Sequence, residues 1–373
     1  MDESNESVRL VQQDVRRNKM VQEGILQPIS AIHNPHVQKL TYVNPHLRFT
    51  NPTYDFSHGI PHGLPYMVAT GDKKRHPNAL VYCRPDNRRT GILSSQSGIL
   101  LEDVPLPYLD EKGLGQLNEE FAYGSRIRHK YVRTSQSGTF FGTWGLADLN
   151  WVNRDANATD GLYEDGIRIV PTVAILEISQ IPDENGNFIS LKEAIERGLV
   201  ASYTIPAIQF RAFVTPYRSK DLICVEAANL PEKEIIRRKN MLLMAFDDMP
   251  GDRTIPVDLS NGLQSVPEYL EWFSRTFGQN LARLHKKRKV HNWLHAMHNV
   301  TLDVRIVDSD GLGTDASDRD IKNERSSLFS QDKDCPSDLW KFYNSVVMLS
   351  RSTVNPDTFL TQTIEAYHRE LNN

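Results

Sequence analysis

The sequence has few cysteines, no long apolar run and no excess of charge of one sign. Its only cysteines, Cys83, Cys224 and Cys335, are odd in number and far apart, which excludes a disulfide framework and indicates a reducing compartment. No apolar run approaches the ~20 residues that span a bilayer, and the polar first residues lack the apolar core of a secretory signal. We therefore expect a cytoplasmic protein with no membrane partner.

The charge is balanced, with 43 basic and 47 acidic residues and a net charge of −4. No overall field therefore draws the chain to nucleic acid or to anionic lipid. The basic run 286–289 follows a long predicted helix, where cations interact favourably with the helix dipole. A solvated helix end is the favoured reading of this run, and we expect no nucleic-acid partner.

The N-terminal half has the texture of strands and turns. Prolines and five histidines punctuate residues 28–65, which predicts an irregular N-terminal extension over residues 1–65. Residues 66–225 are then predicted to form an N-lobe of mixed strands and short helices. Within it, residues 167–178 and 208–214 are rich in the β-branched and aromatic side chains that favour strands.

Residues 226–373 are predicted to form a helical C-lobe that carries the catalytic and metal-binding loop. One amphipathic helix is indicated by apolar residues at spacings of three and four, namely Tyr269, Leu270, Phe273, Phe277, Leu281 and Leu284. Two more helices are predicted near 337–350 and 356–371. The expected fold class is α+β, with a sheet-rich N-lobe and a helical C-lobe, which is the order of protein-kinase-like two-lobed folds.

The most informative segment is the loop after the long helix. Asn299 precedes two short apolar strands, and Asp308 follows them nine residues later. A tight hairpin would bring the two side chains together, and an amide oxygen with a carboxylate suits Mg²⁺. The catalytic-loop Asn of protein kinases acts in this way with a following Asp. The alternative is that Asn299 is an ordinary turn residue and that Asp308 is a solvated loop residue.

Upstream residues could hold phosphate. Arg211 and Arg218 lie seven residues apart and could make bidentate phosphate contacts, although surface arginines are the commoner case. Lys130 precedes a stretch with Gly138 and Gly142, which could cradle phosphates or form a plain hairpin turn.

Taken together, these residues resemble the selenoprotein O family across roughly residues 90–312. The matching elements, in chain order, are Lys130 with the stretch 137–145, a weaker segment at Pro171-Thr172, the pair Arg211 and Arg218, and the pair Asn299 and Asp308. The resemblance implies a protein-kinase-like enzyme that binds ATP in a flipped orientation with Mg²⁺ or Mn²⁺. Such an enzyme transfers AMP to a hydroxyl group of a protein or peptide. It also implies that the lysine and arginines contact the triphosphate.

The sequence departs from the family pattern at the predicted base. His298 stands where the family has an Asp, and an imidazole can accept a proton near neutral pH. The acidic partner of Lys130 is open between Asp155, Asp160 and Glu164. The first 90 residues do not match the family. These departures leave a nucleotide-binding pseudoenzyme as an alternative.

A conventional phosphotransferase acting on a small molecule or peptide is a second alternative. The loop that ends in Asp310-Gly311 also resembles that of aminoglycoside-phosphotransferase-type kinases. The arginine pair favours AMP transfer, whereas the acceptor and the oligomeric state stay open.

Metal sites of other kinds are less well supported. Four histidines lie within fourteen residues, namely His285, His291, His295 and His298. The metalloprotease pattern fails because Asn292 takes the place of its glutamate, and hydrogen-bonded loop histidines are commoner than zinc ligands. The acidic run 308–315 lacks the downstream glutamate of a calcium loop.

Overall fold

The computed structural model describes the chain with several gaps. The described residues are 14–68, 79–84, 87–114, 132–134, 140–143, 146–183, 186–197, 199–224, 230–291, 294, 297–330, 332 and 335–373. The chain forms two compact units. Unit 1 comprises Met1–Arg154 and Pro171–Phe213, and unit 2 comprises Asp155–Val170 and Val214–Asn373. The fold is α+β, with an N-terminal unit rich in antiparallel sheet and a C-terminal helical unit.

Strands make up most of unit 1. They are β1 (Gln27–His33), β2 (Val37–Val43), β3 (Leu47–Phe49), β4 (Tyr66–Val68), β5 (Ala79–Arg84), β6 (Asn87–Ser94), β7 (Ile99–Leu101), β8 (Val104–Leu106), β9 (Tyr108–Lys112), β10 (Val132–Thr134), β11 (Phe140–Thr143), β12 (Ala147–Asp148), β13 (Thr172–Ile178), β14 (Gln180–Pro182), β15 (Phe188–Ser190) and β16 (Pro206–Phe213). Helices α1 (Val15–Gln22) and α3 (Leu191–Glu196) belong to the same unit, and α2 (Leu149–Glu164) contains the boundary at residue 154.

The largest sheet has the order β2-β13-β16-β9-β6-β5-β1-β4, with β12 also paired to β16. Strands β13 and β16 are neighbours, and every residue of β16 is buried. Their β-branched and aromatic side chains fill the interior, where the Phe210 ring lies 4.8 Å from that of Phe56. The strands predicted at 167–178 and 208–214 therefore correspond to the core of unit 1, except that β13 begins at Thr172.

The N-terminal segment is more regular than its composition indicates. Residues 1–65 are predicted to be an irregular extension, whereas β1 pairs with β4 and β5, and β2 pairs with β13. Pro35 and Pro45 lie just after β1 and β2. These prolines therefore mark the turns between strands, where the missing backbone N–H breaks no ladder bond.

Unit 2 is built mainly from helices. They are α4 (Ser219–Leu222), α5 (Glu232–Asp248), α6 (Val266–Lys286), α7 (Asp318–Leu328), α8 (Asp338–Ser350) and α9 (Pro356–Asn372), together with the short strands β17 (Val290–His291) and β18 (Leu312–Gly313). The helices predicted near 337–350 and 356–371 correspond to α8 and α9.

Helix α6 forms the centre of unit 2. All six apolar residues that predict it are buried, and its Phe273 ring lies 4.7 Å from that of Phe342 on α8. The helix crosses α9 very closely at Gly278, where a β-carbon would lie only 2.4 Å from the carbonyl oxygen of Thr363. The absence of a side chain at residue 278 therefore permits this crossing.

Among the described residues, no helix is both long and apolar enough to cross a membrane.

Candidate functional site

The segment 299–308 folds back on itself within unit 2. The amide of Val307 donates to the carbonyl of Asn299 at 2.9 Å, and the amide of Thr301 donates to the carbonyl of Arg305 at 3.0 Å. The sequence predicts two short strands here, whereas the pairing amounts to one isolated antiparallel bridge, Val300 with Ile306. The short hairpin still places Asn299 and Asp308 at its base.

One guanidinium nitrogen contacts three oxygen atoms at the base of the hairpin. Nη1 of Arg218 donates to Oδ2 of Asp308 at 3.0 Å, to the carbonyl oxygen of His298 at 2.7 Å and to Oδ1 of Asn299 at 3.4 Å. Asn299 is buried, whereas the side chains of Arg218 and Asp308 are 17% and 21% exposed. The structure thus brings Asn299, Asp308 and Arg218 together, and their roles toward a metal and a nucleotide stay predictions.

Asp308 has a left-handed backbone conformation, with φ of +56°. Asp tolerates this region better than most residues because its short polar side chain can bond locally. The chain turns here from the hairpin into the 3₁₀ turn Ser309–Gly311.

The backbone on both sides of Arg218 is attached to the hairpin. The amide of Ser219 donates to the carbonyl of Val300 at 2.8 Å, and the amide of Leu302 donates to the carbonyl of Tyr217 at 3.0 Å. The amide of Arg218 itself donates to Oδ2 of Asp221 at 2.7 Å. These bonds fix the position from which the guanidinium extends.

Helix α6 supports the tip of the hairpin. Val304 has a φ of +62°, a strained value for a β-branched residue. The Asn280 amide donates to the carbonyl of Val304 at 3.1 Å, and the Tyr269 hydroxyl donates to the carbonyl of Leu302 at 2.8 Å. Two side chains of one helix therefore hold the turn in this conformation.

A buried ion cluster lies at the same tip. Oδ2 of Asp252 accepts from Arg168 at 2.7 Å and from Arg305 at 2.8 Å, and Arg305 also donates to Asp303 at 2.7 Å. The side chains of Asp252, Asp303 and Arg305 are at most 5% exposed. We call these four residues the tip cluster. Burial alone raises the pKa of Asp252, but Arg305 and Arg168 outweigh it and lower that pKa to about 2.

His298 has an environment that disfavours its charged form. Burial and the neighbouring Arg218 guanidinium lower the pKa of His298 to about 4, although the Asp308 carboxylate acts in the opposite direction. The imidazole is therefore neutral at physiological pH. It can accept a hydrogen bond, but a group with this pKa is a weak general base near pH 7.

Of the four predicted phosphate-binding residues in unit 1, the structure describes Gly142 and Arg211. Lys130 and Gly138 lie outside the described residues, and Gly142 is in β11, where it pairs with Arg133. Arg211 is buried and forms a bidentate ion pair with Asp110, with distances of 3.0 and 2.7 Å. Arg211 and Arg218 thus belong to different units.

The candidate acidic partners of Lys130 lie on one helix. Asp155, Asp160 and Glu164 are all residues of α2, and Asp155 is buried. Because Lys130 lies outside the described residues, its partner stays open.

The clustered histidines make contacts of different kinds. His285 bonds to Glu324 and Tyr367, both at 2.9 Å, and His291 bonds to the carbonyl of Val307 at 3.2 Å. His295 is outside the described residues. Across the residues that the structure describes, no group of three or more His, Cys, Asp or Glu side chains is arranged to hold a metal ion.

Three of the four residues in the basic run 286–289 pair with acidic side chains. Lys287 and Lys289 both pair with Asp165, at 2.8 and 3.0 Å, and Arg288 pairs with Asp318. These two carboxylates therefore offset about half of the positive charge of the run.

No protein-family model matches this chain, and no curated protein matches it either. The functional assignment therefore depends on the residues around the hairpin.

Proposed function

We propose that the chain is an ATP-dependent transferase of the selenoprotein O type, with a protein-kinase-like fold, that transfers AMP to a hydroxyl group of a protein or peptide. The observation that carries the proposal is the convergence of Asn299, Asp308 and Arg218 at the hairpin base. An amide oxygen, a carboxylate and a cationic fork are the groups that a metal-bound triphosphate requires.

The donor set at the base fits Mg²⁺ or Mn²⁺. Oδ1 of Asn299 and Oδ2 of Asp308 both face a cationic nitrogen within 3.4 Å, so these oxygens already point toward one positive charge. Two protein oxygens are few for calcium but suit magnesium, which retains waters and phosphate oxygens in its shell. When bound, the ion would neutralise phosphate charge.

The residues of unit 2 would position the substrates. Arg218 would hold phosphate oxygens, and the phosphate contacts of Lys130 and Arg211 stay predictions from the sequence. In the reaction, the acceptor oxygen bonds to the α-phosphorus while the bond from that phosphorus to the leaving oxygen breaks and pyrophosphate departs. The hydroxyl proton passes to His298 or to water.

A nucleotide-binding protein without turnover is the second candidate. The replacement of the family's Asp by His298 favours it. Burial and Arg218 lower the pKa of His298 to about 4, so its imidazole is uncharged near pH 7 and offers no negative charge to attract the hydroxyl proton. A conventional phosphotransferase is the remaining alternative.

Nucleotide binding and product analysis test the proposal. We expect ATP with Mn²⁺ to raise the melting temperature of the wild type, since a ligand stabilises the state that binds it. The variant Asp308→Ala should lose this metal-dependent rise. Asp338→Ala is the matched control, because Asp338 forms a carboxylate–lysine pair with Lys220 at 2.8 Å in the same unit and should keep the rise.

The products then separate the candidates. Pyrophosphate together with an AMP-modified acceptor supports AMP transfer, and ADP supports phosphoryl transfer. Binding without either product supports the non-catalytic candidate. An undiminished rise in Asp308→Ala would contradict the metal assignment itself.

A further inference from the structure

We propose that Arg218 and the divalent cation are alternative partners of the same oxygen atoms, so that metal binding releases the Arg218 side chain to hold nucleotide phosphate. This inference rests on the proposed function and adds a regulatory device to it. Its basis is the geometry of Nη1, which lies within hydrogen-bond reach of the proposed metal ligands Asn299 and Asp308.

The two cations cannot share these oxygens at low cost. The Arg218–Asp308 pair is about four-fifths shielded from water, and charges interact more strongly there than in bulk solvent. A divalent ion on Oδ2 of Asp308 would lie at ion-pair distance from a guanidinium on the same atom. Repulsion between the two positive charges favours departure of the arginine side chain.

The side chain of Arg218 is the part that can move. Its backbone forms an antiparallel bridge with Thr301, its own amide is bonded to Asp221, and the amide of Ser219 is bonded to Val300. The guanidinium, in contrast, is partly exposed at the end of a chain of rotatable bonds. It can therefore swing away without disturbing the hairpin.

A triphosphate would give the released guanidinium a new set of acceptors. Charge-assisted bonds to phosphate oxygens would replace those to Asp308 and to the carbonyl oxygen of His298. Metal and nucleotide then favour each other's binding, and this coupling is reciprocal. In the absence of nucleotide, the metal has to displace the arginine without compensation and binds weakly.

The competition between Arg218 and the cation is tested by titrating the protein with Mn²⁺ in the absence of nucleotide. Electron paramagnetic resonance measures the free ion. Arg218→Met removes the competing cation, and we expect it to bind Mn²⁺ about tenfold more tightly than the wild type. Lys220→Met is the matched control. It removes a positive charge two residues away, from the short helix that follows Arg218. Because Lys220 is 43% exposed and pairs with Asp338, we expect a change below about twofold.

A second variant and the addition of ATP sharpen the test. Arg218→Lys keeps a positive charge that competes with the metal, and it should remain within about twofold of the wild type without nucleotide. ATP should strengthen Mn²⁺ binding in the wild type and have much less effect in Arg218→Met.

Equal Mn²⁺ affinities of Arg218→Met and Lys220→Met, or weaker or absent binding by Arg218→Met, would overturn the inference. The proposed metal site is tested separately by Asp308→Asn, which should lose Mn²⁺ binding. If Asp308→Asn loses binding while Arg218→Met gains none, the proposed site stands and the competition fails. If Asp308→Asn binds like the wild type, the metal site itself fails.

Discussion

At its base the hairpin 299–308 is held by Arg218 through Asp308, and at its tip Arg305 pairs with Asp303 and Asp252. Both ends therefore join arginine to aspartate, but their surroundings differ. About a fifth of the Arg218 and Asp308 side chains at the base is exposed, whereas the side chains of Asp252, Asp303 and Arg305 at the tip are almost wholly buried.

The comparison distinguishes a buried ion cluster, which fixes the structure of the tip, from a partly exposed ion pair at the base, whose partners can change. In the tip cluster, the Asp252 carboxylate is surrounded by two arginines and by Thr254, whose amide and hydroxyl both donate to Oδ1. Removing one partner there would leave a buried charge uncompensated. At the base, water can partly replace a lost partner, so an exchange of partners costs less there than in the tip cluster.

The largest effect is expected when the tip cluster loses its central carboxylate. Asp252→Ala leaves Arg168 and Arg305 without their shared partner, and we expect a loss of about 3–5 kcal/mol in the free energy of unfolding. Urea denaturation followed by circular dichroism measures it. The control is Asp258→Ala, which changes a fully exposed carboxylate nearby and should leave the denaturation midpoint unchanged. Similar midpoints for the two variants would contradict the comparison.

A smaller loss in the free energy of unfolding is expected on acidification. The pKa of Asp252 is about 2 in the folded protein because Arg305 and Arg168 outweigh the effect of burial, and its ordinary value is 3.8. The folded pKa is the lower one. The stabilisation is therefore complete above about pH 4 and is lost as the pH falls toward about 2.

Denaturation midpoints at pH 6, 4, 3 and 2.5 would follow this loss. Arg168→Met removes one of the two arginines and should raise the pKa of Asp252, so that the decline begins at a higher pH. A decline that is unchanged in this variant would show that other carboxyl groups cause it.

The smallest effect on stability is expected at the hairpin base. Asp308→Ala breaks a partly exposed ion pair, and we expect a change below about 1 kcal/mol in the free energy of unfolding. The same denaturation experiment measures it. A loss as large as that of Asp252→Ala would mean that the base is structural rather than adjustable.

The sequence predicts well those features that depend on local spacing. The apolar residues from Tyr269 to Leu284 predict a long helix because every third or fourth residue shares one face, and α6 buries that face. The start of α3 also has a local cause, since the Ser190 hydroxyl accepts from the amide of Glu193 at 3.1 Å. The hairpin that joins Asn299 and Asp308 is also of this local kind.

Features that join distant residues could not be predicted. Nothing in the spacing indicates that Arg168 and Asp252 meet Arg305, since 84 residues separate the first two. The bond between Arg218 and Asp308 spans 90 residues and depends on how α4 packs beside the hairpin. The prolines near residues 35 and 45 predict an irregular segment, whereas the structure has short turns between strands there. Composition cannot distinguish the two, because turns and long loops are rich in the same residues.

The close crossing at Gly278 has a consequence for the order in which unit 2 can assemble during synthesis. Helix α6, which supports the hairpin tip through Tyr269 and Asn280, has its main packing partner in α9, some eighty residues later. A ribosome-bound chain that lacks Pro356–Asn372 leaves one side of α6 uncovered. The hairpin base should therefore become competent to hold ligands only after this partner helix has emerged from the ribosome.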